Sequence, residues 1–142
     1  MPAFESLAAC IQDATERKTV LAASKVRLFK STLIPTPSTT AADLAAAEAD
    51  YTDYPVGGDA ITAFLAPVLN PAGGASISAP TVQFSVTTLN PPITNLIGGA
   101  WLEDSTGKVR LIMPFAAPVP MEIQGQGFPL NITIGFPTGQ TV

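Results

Sequence analysis

The strongest pattern along this chain is a two-residue alternation of apolar and polar positions. Val82, Phe84 and Val86 alternate with Thr81, Gln83, Ser85 and Thr87, the signature of a strand with one buried face. Leu130, Ile132, Ile134 and Phe136 alternate with Asn131, Thr133 and Gly135, which predicts one final strand over 130–136. Apolar runs at 97–102 and 109–113 flank Glu103, Asp104, Ser105, Thr106, Gly107 and Lys108. That spacing predicts a hairpin in which Gly107 takes a positive φ. Val119 and Met121 suggest a short strand between prolines, and 61–66 reads as a buried strand stopped by Pro67. Residues 26–29 predict an earlier strand, with Lys25, Arg27 and Lys30 on its wet side.

Helical spacing dominates near the N-terminus instead. Phe4, Leu7, Ala8, Ile11 and Ala14 recur every three or four positions, opposite Gln12, Glu16 and Lys18, which predicts an amphipathic helix over 2–21. Two roles are open to it: packing on its own domain, or docking as an arm on a neighbouring subunit. Thr40 and Asp43 form a capping-box-like start, and the alanine-rich run behind them predicts a second helix over 41–51. Pro55, Gly57 and Gly58 lie beyond it.

Proline and glycine recur between the apolar runs as turn punctuation; Asn70, Pro71, Ala72, Gly73 and Gly74 make one such turn. Gly98 and Gly99 suggest a bulge or a close backbone approach. The expected fold class is therefore mainly β: an antiparallel β-sandwich or barrel, jelly-roll-like, with an N-terminal amphipathic helix and one short helix near 41–51. The expected organisation is a helical arm at 1–22 and a β domain at 23–142.

Composition narrows the function more than the fold. Of 142 residues, 46% are hydrophobic and only 13% charged, about half the roughly 25% usual for soluble domains. Thirteen of the eighteen charges fall in 1–59, and none falls in 60–102 or 123–142. So few charges cannot dress a whole solvent-facing surface, which hints that neighbouring subunits cover part of it. A net charge of -4 with scattered basic residues argues against nucleic acid, which calls for a basic patch. Glu5, Asp13, Glu16, Arg17 and Lys18 interrupt any signal-peptide core. No apolar run approaches the roughly 18 residues of a membrane span, so a soluble chain with no membrane partner is expected.

Candidate chemistry is sparse. With no His and one Cys, Cys10, the common zinc sites and the Ser-His-Asp and Cys-His arrangements are excluded. A lone cysteine is more often a small core residue than a nucleophile. Carboxylates remain: Asp50, Asp53, Asp59, Glu103, Asp104 and Glu122. A catalytic pair among them, or a calcium site using Asp50, Asp53 and Asp59, competes with the plainer reading of solvated acids at turns and helix ends. No catalytic residue, metal or cofactor is expected, and the chain reads as a non-enzyme. Trp101 with Tyr51 and Tyr54 could stack on a sugar, against a core or interface role for Trp101. Phe4, Leu7, Ile11 and Trp101 are the candidate partner-binding residues.

From Val26 onward the order of motifs resembles a group of small structural proteins encoded by tailed phages. The matching pieces are Val26-Arg27-Leu28-Phe29-Lys30 leading to Thr36-Pro37, then an alanine- and acid-rich segment ending in Asp53-Tyr54. Leu69 to Gly74, Val82-Gln83-Phe84, Gly98-Gly99-Ala100-Trp101-Leu102 and Pro118-Val119-Pro120-Met121 follow in order. The group often has two asparagines after the Phe-Lys step and a tryptophan before the Asn-Pro turn; Ser31, Thr32 and Phe64 stand here, and the helical N-terminus is an addition. The resemblance implies a virion structural protein, a capsid decoration (cement) protein or a tail-fibre or receptor-binding accessory. Its expected partners are the major capsid protein or other virion proteins, and its expected location is the virion, the capsid surface before the tail. A homo-oligomer, taken as a trimer on symmetry grounds, goes with that reading.

Overall fold

The computed structural model describes residues 6–61, 63–70 and 73–137. It is mainly β, with antiparallel sheets and two helices. The elements in order are α1 (Leu7–Val20), β1 (Lys25–Lys30), α2 (Ala41–Ala46), β2 (Asp59–Ala60), β3 (Val68–Leu69) and β4 (Ala75–Ser78). β5 (Val82–Ser85), β6 (Asn95–Glu103), β7 (Val109–Met121), β8 (Gly127–Leu130) and β9 (Thr133–Phe136) complete them.

One layer is a four-stranded sheet in the order β2-β1-β6-β7. The other consists of a three-stranded sheet, β3-β4-β9, and a two-stranded sheet, β5-β8, which follow one another along a ribbon in which β4 and β5 run antiparallel to β9 and β8. Ile77 lies opposite Ile134 and Val82 opposite Leu130, so the first strand has one residue more than the second between those pairs. Pro80 sits in that surplus. It cannot donate to a ladder, and the register slips there, so the strand expected over 130–136 is split in two around Asn131 and Ile132.

Val26, Leu28, Ile97, Ala100 and Leu102 of the first layer and Ala75, Ile77, Val82 and Phe84 of the second belong to one buried cluster. The layers face each other as in a sandwich. α1 is part of this body. Ser6 caps it by accepting from the Ala9 N–H at 3.1 Å, and the helix packs against β4 and β9. Cys10, Ala14 and the C-cap Leu21 enter the main cluster, fully buried. Of the two roles left open for this helix, the described residues take the first, packing on their own domain: small residues on the inner stripe let the helix sit close on the sheet.

Three further expectations change for tertiary reasons. α2 starts on the foreseen capping box, with Thr40 and Asp43 exchanging hydrogen bonds, but stops at Ala46 rather than near 51. Beyond it the Lys30 N–H donates to Ala47 O and the Ala49 N–H donates to Leu28 O. The ladder to β1 outbids helix propensity, which is a weak preference. The described residues of 61–66 lie in no strand; Ile61 and Phe64 are buried outside any regular element instead. The segments 109–113 and 119–121 join into one strand, β7, despite Pro114, Pro118 and Pro120. β7 lies at the sheet edge. Pro120 stands opposite Leu96, whose carbonyl turns to the other side to accept from the Ser31 N–H. The donor that Pro120 lacks would therefore face open solvent, where nothing needs it.

Candidate functional site

The four-stranded sheet carries a second, smaller cluster on its outer face. Phe29, Leu44 and Trp101 are its buried members, with Leu33, Ala47, Val109 and Ile112 around them. The glycines at 98 and 99 make this possible. Gly99 lies opposite Phe29 with the Phe29 ring end directly over it, and a Cβ there would also meet Met113 O at 2.6 Å. At Gly98 a Cβ would come within 2.8 Å of the Ser31 Cα. The foreseen bulge is present as register slips at Phe29/Lys30 and Ile97/Gly99.

Trp101 is 1% exposed. It packs with Phe29 and Leu44 in this cluster, as a core residue would, rather than standing on the surface. Its Nε1–H donates to Glu103 Oε2 at 3.3 Å, and the Arg27 guanidinium lies over its ring at 5.9 Å. Arg27 NH1 bonds Glu48 at 3.2 Å, while its Nε stands 3.4 Å from Glu103 as an ion pair without hydrogen-bond alignment. The Tyr54 hydroxyl donates to Glu48 at 2.9 Å and accepts from the Leu28 N–H. Lys30 pairs with Asp50 at 3.0 Å. The wet side of β1 is thus mostly a charge network rather than free lysine and arginine.

The sugar-stacking platform is not assembled. Tyr51 is buried in the main cluster and meets Tyr54 edge-on at 5.5 Å, and Tyr54 stacks on Phe84. Trp101 belongs to the other face. Burial pushes the Tyr51 hydroxyl up to about 12, helped by Asp53 and Asp59; that hydroxyl has no hydrogen-bond partner. Of the helix residues singled out, Leu7 and Ile11 are exposed, 43% and 37%, although helical spacing puts them on the same side of α1 as buried Cys10 and Ala14. Phe4 lies outside the described residues.

Four of the six acids considered for chemistry, Asp50, Asp53, Glu103 and Asp104, hold the scaffold. Asp104 accepts from the Thr106 hydroxyl and N–H, the Lys108 N–H and Arg110 Nε. The Thr106 hydroxyl, then Arg110, hold its carboxyl far below the ordinary carboxylate range. It ties the hairpin turn, in which Gly107 takes φ +85 as expected. Asp53 accepts the N–H groups of Thr88 and Thr87, which lower its pKa, and the Thr88 hydroxyl. Asp50 is lowered by Asn95 and Lys30. Asn95, which sequence reasoning passed over, accepts from the N–H groups of Asp50 and Tyr51 and returns a bond to the Asp50 carboxylate. Its signal was a lone amide at the head of an apolar strand. Asp50 and Asp53 are thus engaged at different places, and among the described residues no acidic group gathers as a metal site. Among the described residues, Asp59 alone of the three has a carboxylate with no hydrogen bond or ion pair, and it meets β1 only through the strand ladder.

The surface offers hollows rather than an enclosed pocket. An open cleft of about 520 Å³ is lined by Asp50, Tyr51, Tyr54, Val56, Pro92 and Ile93 among others. Two smaller hollows, about 190 and 250 Å³, meet at Gln83. Among the described residues no helix is long and apolar enough to cross a membrane. No protein-family model matches the chain, and neither a curated protein nor a solved structure is similar to it.

Proposed function

We propose that this chain is a structural protein of a tailed-phage virion, a decoration (cement) protein that binds and stabilises the capsid surface through protein–protein contacts. It acts there as a homo-oligomer, a trimer where the capsid offers three-fold positions. The observation that carries the reading is a division of labour. Acidic side chains secure turns and strand ends, whereas large apolar side chains stand outside. Leu65, Val68 and Leu69 are each more than half exposed, within a stretch from 60 to 102 that has no charge. An uncharged apolar surface gains from being covered, and many such weak contacts, repeated by symmetry, suit a protein that lies across capsomer seams. The order of motifs from Val26 onward supports the same reading.

Counting copies in purified particles tests it. Hundreds of copies, localised on the shell in a particle map, support decoration. A handful favours the alternative, a tail-fibre or receptor- or carbohydrate-binding module, which has lost its Trp101 platform. Absence from particles sinks both. Because α1 fills part of the core, its deletion would unfold the protein and tests nothing about binding. The double substitution Leu7→Asp and Ile11→Asp changes exposed positions only and should leave the unfolding free energy within about 0.5 kcal/mol of wild type. Shell occupancy should fall several-fold; unchanged occupancy removes α1 from the contact surface.

A further inference from the structure

Sheet edges are templates for adding a strand, and folded proteins usually obstruct them. Most edges here are obstructed. β2 and β3 are two residues long, and Pro67 precedes β3. On β7, Pro120 turns its donor-less side outward, as described above. Pro129 of β8 stands opposite Gln83, away from the ladder bonds. α1 packs on β9, and the Cys10 thiol donates to Pro137 O just beyond it.

β5 is different. The Val86 N–H donates to Gln126 O and Val86 O accepts from the Gly125 N–H, so Val86 turns both its groups toward the β8 side. In an extended chain, Phe84 and Val82 then do the same, and Gln83, Ser85 and Thr87 turn theirs outward. The outward Thr87 N–H is satisfied by Asp53 at 2.9 Å. Among the described residues, the outward N–H and C=O groups of Gln83 and Ser85 meet no such partner. They open on the two hollows that join at Gln83. Asp53 and Pro55 line the far side of one, Asp59, Ala60 and Ile61 that of the other, and no lysine or arginine lines either. Among the described residues the groove is therefore a strand edge left unpaired at Gln83 and Ser85, with Asp59 across one hollow and the Asp53 carboxylate, bonded to Thr87 and Thr88, at the end of the other.

We propose that this groove is a docking site for an extended peptide segment bearing a lysine or arginine, which adds to β5 as a further strand. Gln83 and Ser85 supply the main-chain hydrogen bonds that give affinity. Asp59, with Asp53 behind it, supplies the charge selection. The proposal deepens the reading above by specifying the chemistry of one partner segment. Its test uses the purified full chain without particles, so either can fail alone.

The probe is an acetylated and amidated pentapeptide of alternating threonine and valine with a central lysine, compared with its central-glutamate counterpart. Amide NMR on the labelled protein should show shifts centred on Gln83 and Ser85, with the lysine peptide binding about tenfold more tightly. Ser85→Pro removes an outward donor and leaves the β8 ladder intact, as Pro129 does across the ribbon; it should abolish the response at Gln83. Asp59→Asn, at a partly exposed position, should bring the two peptides close to equal affinity. Shifts that centre elsewhere, equal affinities in wild type, or binding indifferent to Ser85→Pro would each overturn the proposal. So would amide exchange at Gln83 and Ser85 in the free protein as slow as at Phe84.

Discussion

The two faces of the four-stranded sheet are stabilised in different ways. The inner face, with Val26, Leu28, Ala100 and Leu102, meets a second layer and shares a large apolar cluster. The outer face has only α2 and a few loop residues to cover it, and three buried side chains at its centre. There the apolar area is small, and an ion network of Arg27, Glu48 and Glu103 stands around the Trp101 ring. The lesson is one of area: where a second layer is missing, polar groups fix geometry that burial alone would leave loose. In a chain with so few charges, that is where several of them are used.

The comparison breaks most visibly in the main core. Phe84 stacks on Tyr54 and on Phe128 within the main cluster; Phe84→Ala should cost about 3–5 kcal/mol by denaturant titration. A loss under about 1 kcal/mol would mean the layers do not depend on that contact. On the outer face, Gly99→Ala should cost about 1–3 kcal/mol by overpacking. The obstacle there includes the Met113 carbonyl, which is backbone and cannot turn away. Near-wild-type stability would show that Phe29 does not lie over Gly99.

Smaller still is the network itself. Glu48→Gln leaves Arg27 with Glu103 alone and should cost about 1 kcal/mol, since these side chains are about one-fifth exposed and partly screened. The loss should shrink in high salt; a salt-independent loss would point to the Tyr54 hydrogen bond instead. Asp104 sharpens the comparison through pH. Its folded pKa lies below the ordinary 3.8, so its stabilisation is complete above that value and is lost as pH falls through the lower, folded pKa. Wild type should lose stability on acidification in that range, and Asp104→Asn should flatten the curve. An unchanged acid limb would show that the carboxylate does not hold the turn.

Much of the fold is legible in residue order, because local rules and tertiary demands coincide there. Alternation at 82–86 marks β5, and Thr40 with Asp43 marks the start of α2. The acidic run before Gly107 marks the β6–β7 hairpin. The candidate surface was legible in part: Leu7 and Ile11 are exposed, but nothing local distinguishes an apolar residue that packs from one left outside. Trp101 shows the limit. Its strand neighbours read as apolar in either case, and only the Phe29 and Leu44 side chains brought from elsewhere decide that it is covered.

By itself, then, the order of residues determined the β character, several turns and the start of α2, since each depends on φ/ψ preference and period over a few positions. The tertiary structure alone decided where α2 ends, that 130–136 breaks opposite Pro80, and that prolines sit harmlessly in β7. It also decided that α1 belongs to the body and that β5 keeps an open edge. Each of these turns on which backbone groups find a partner across the fold, and pairing over such distances is settled by packing, not by neighbours in sequence.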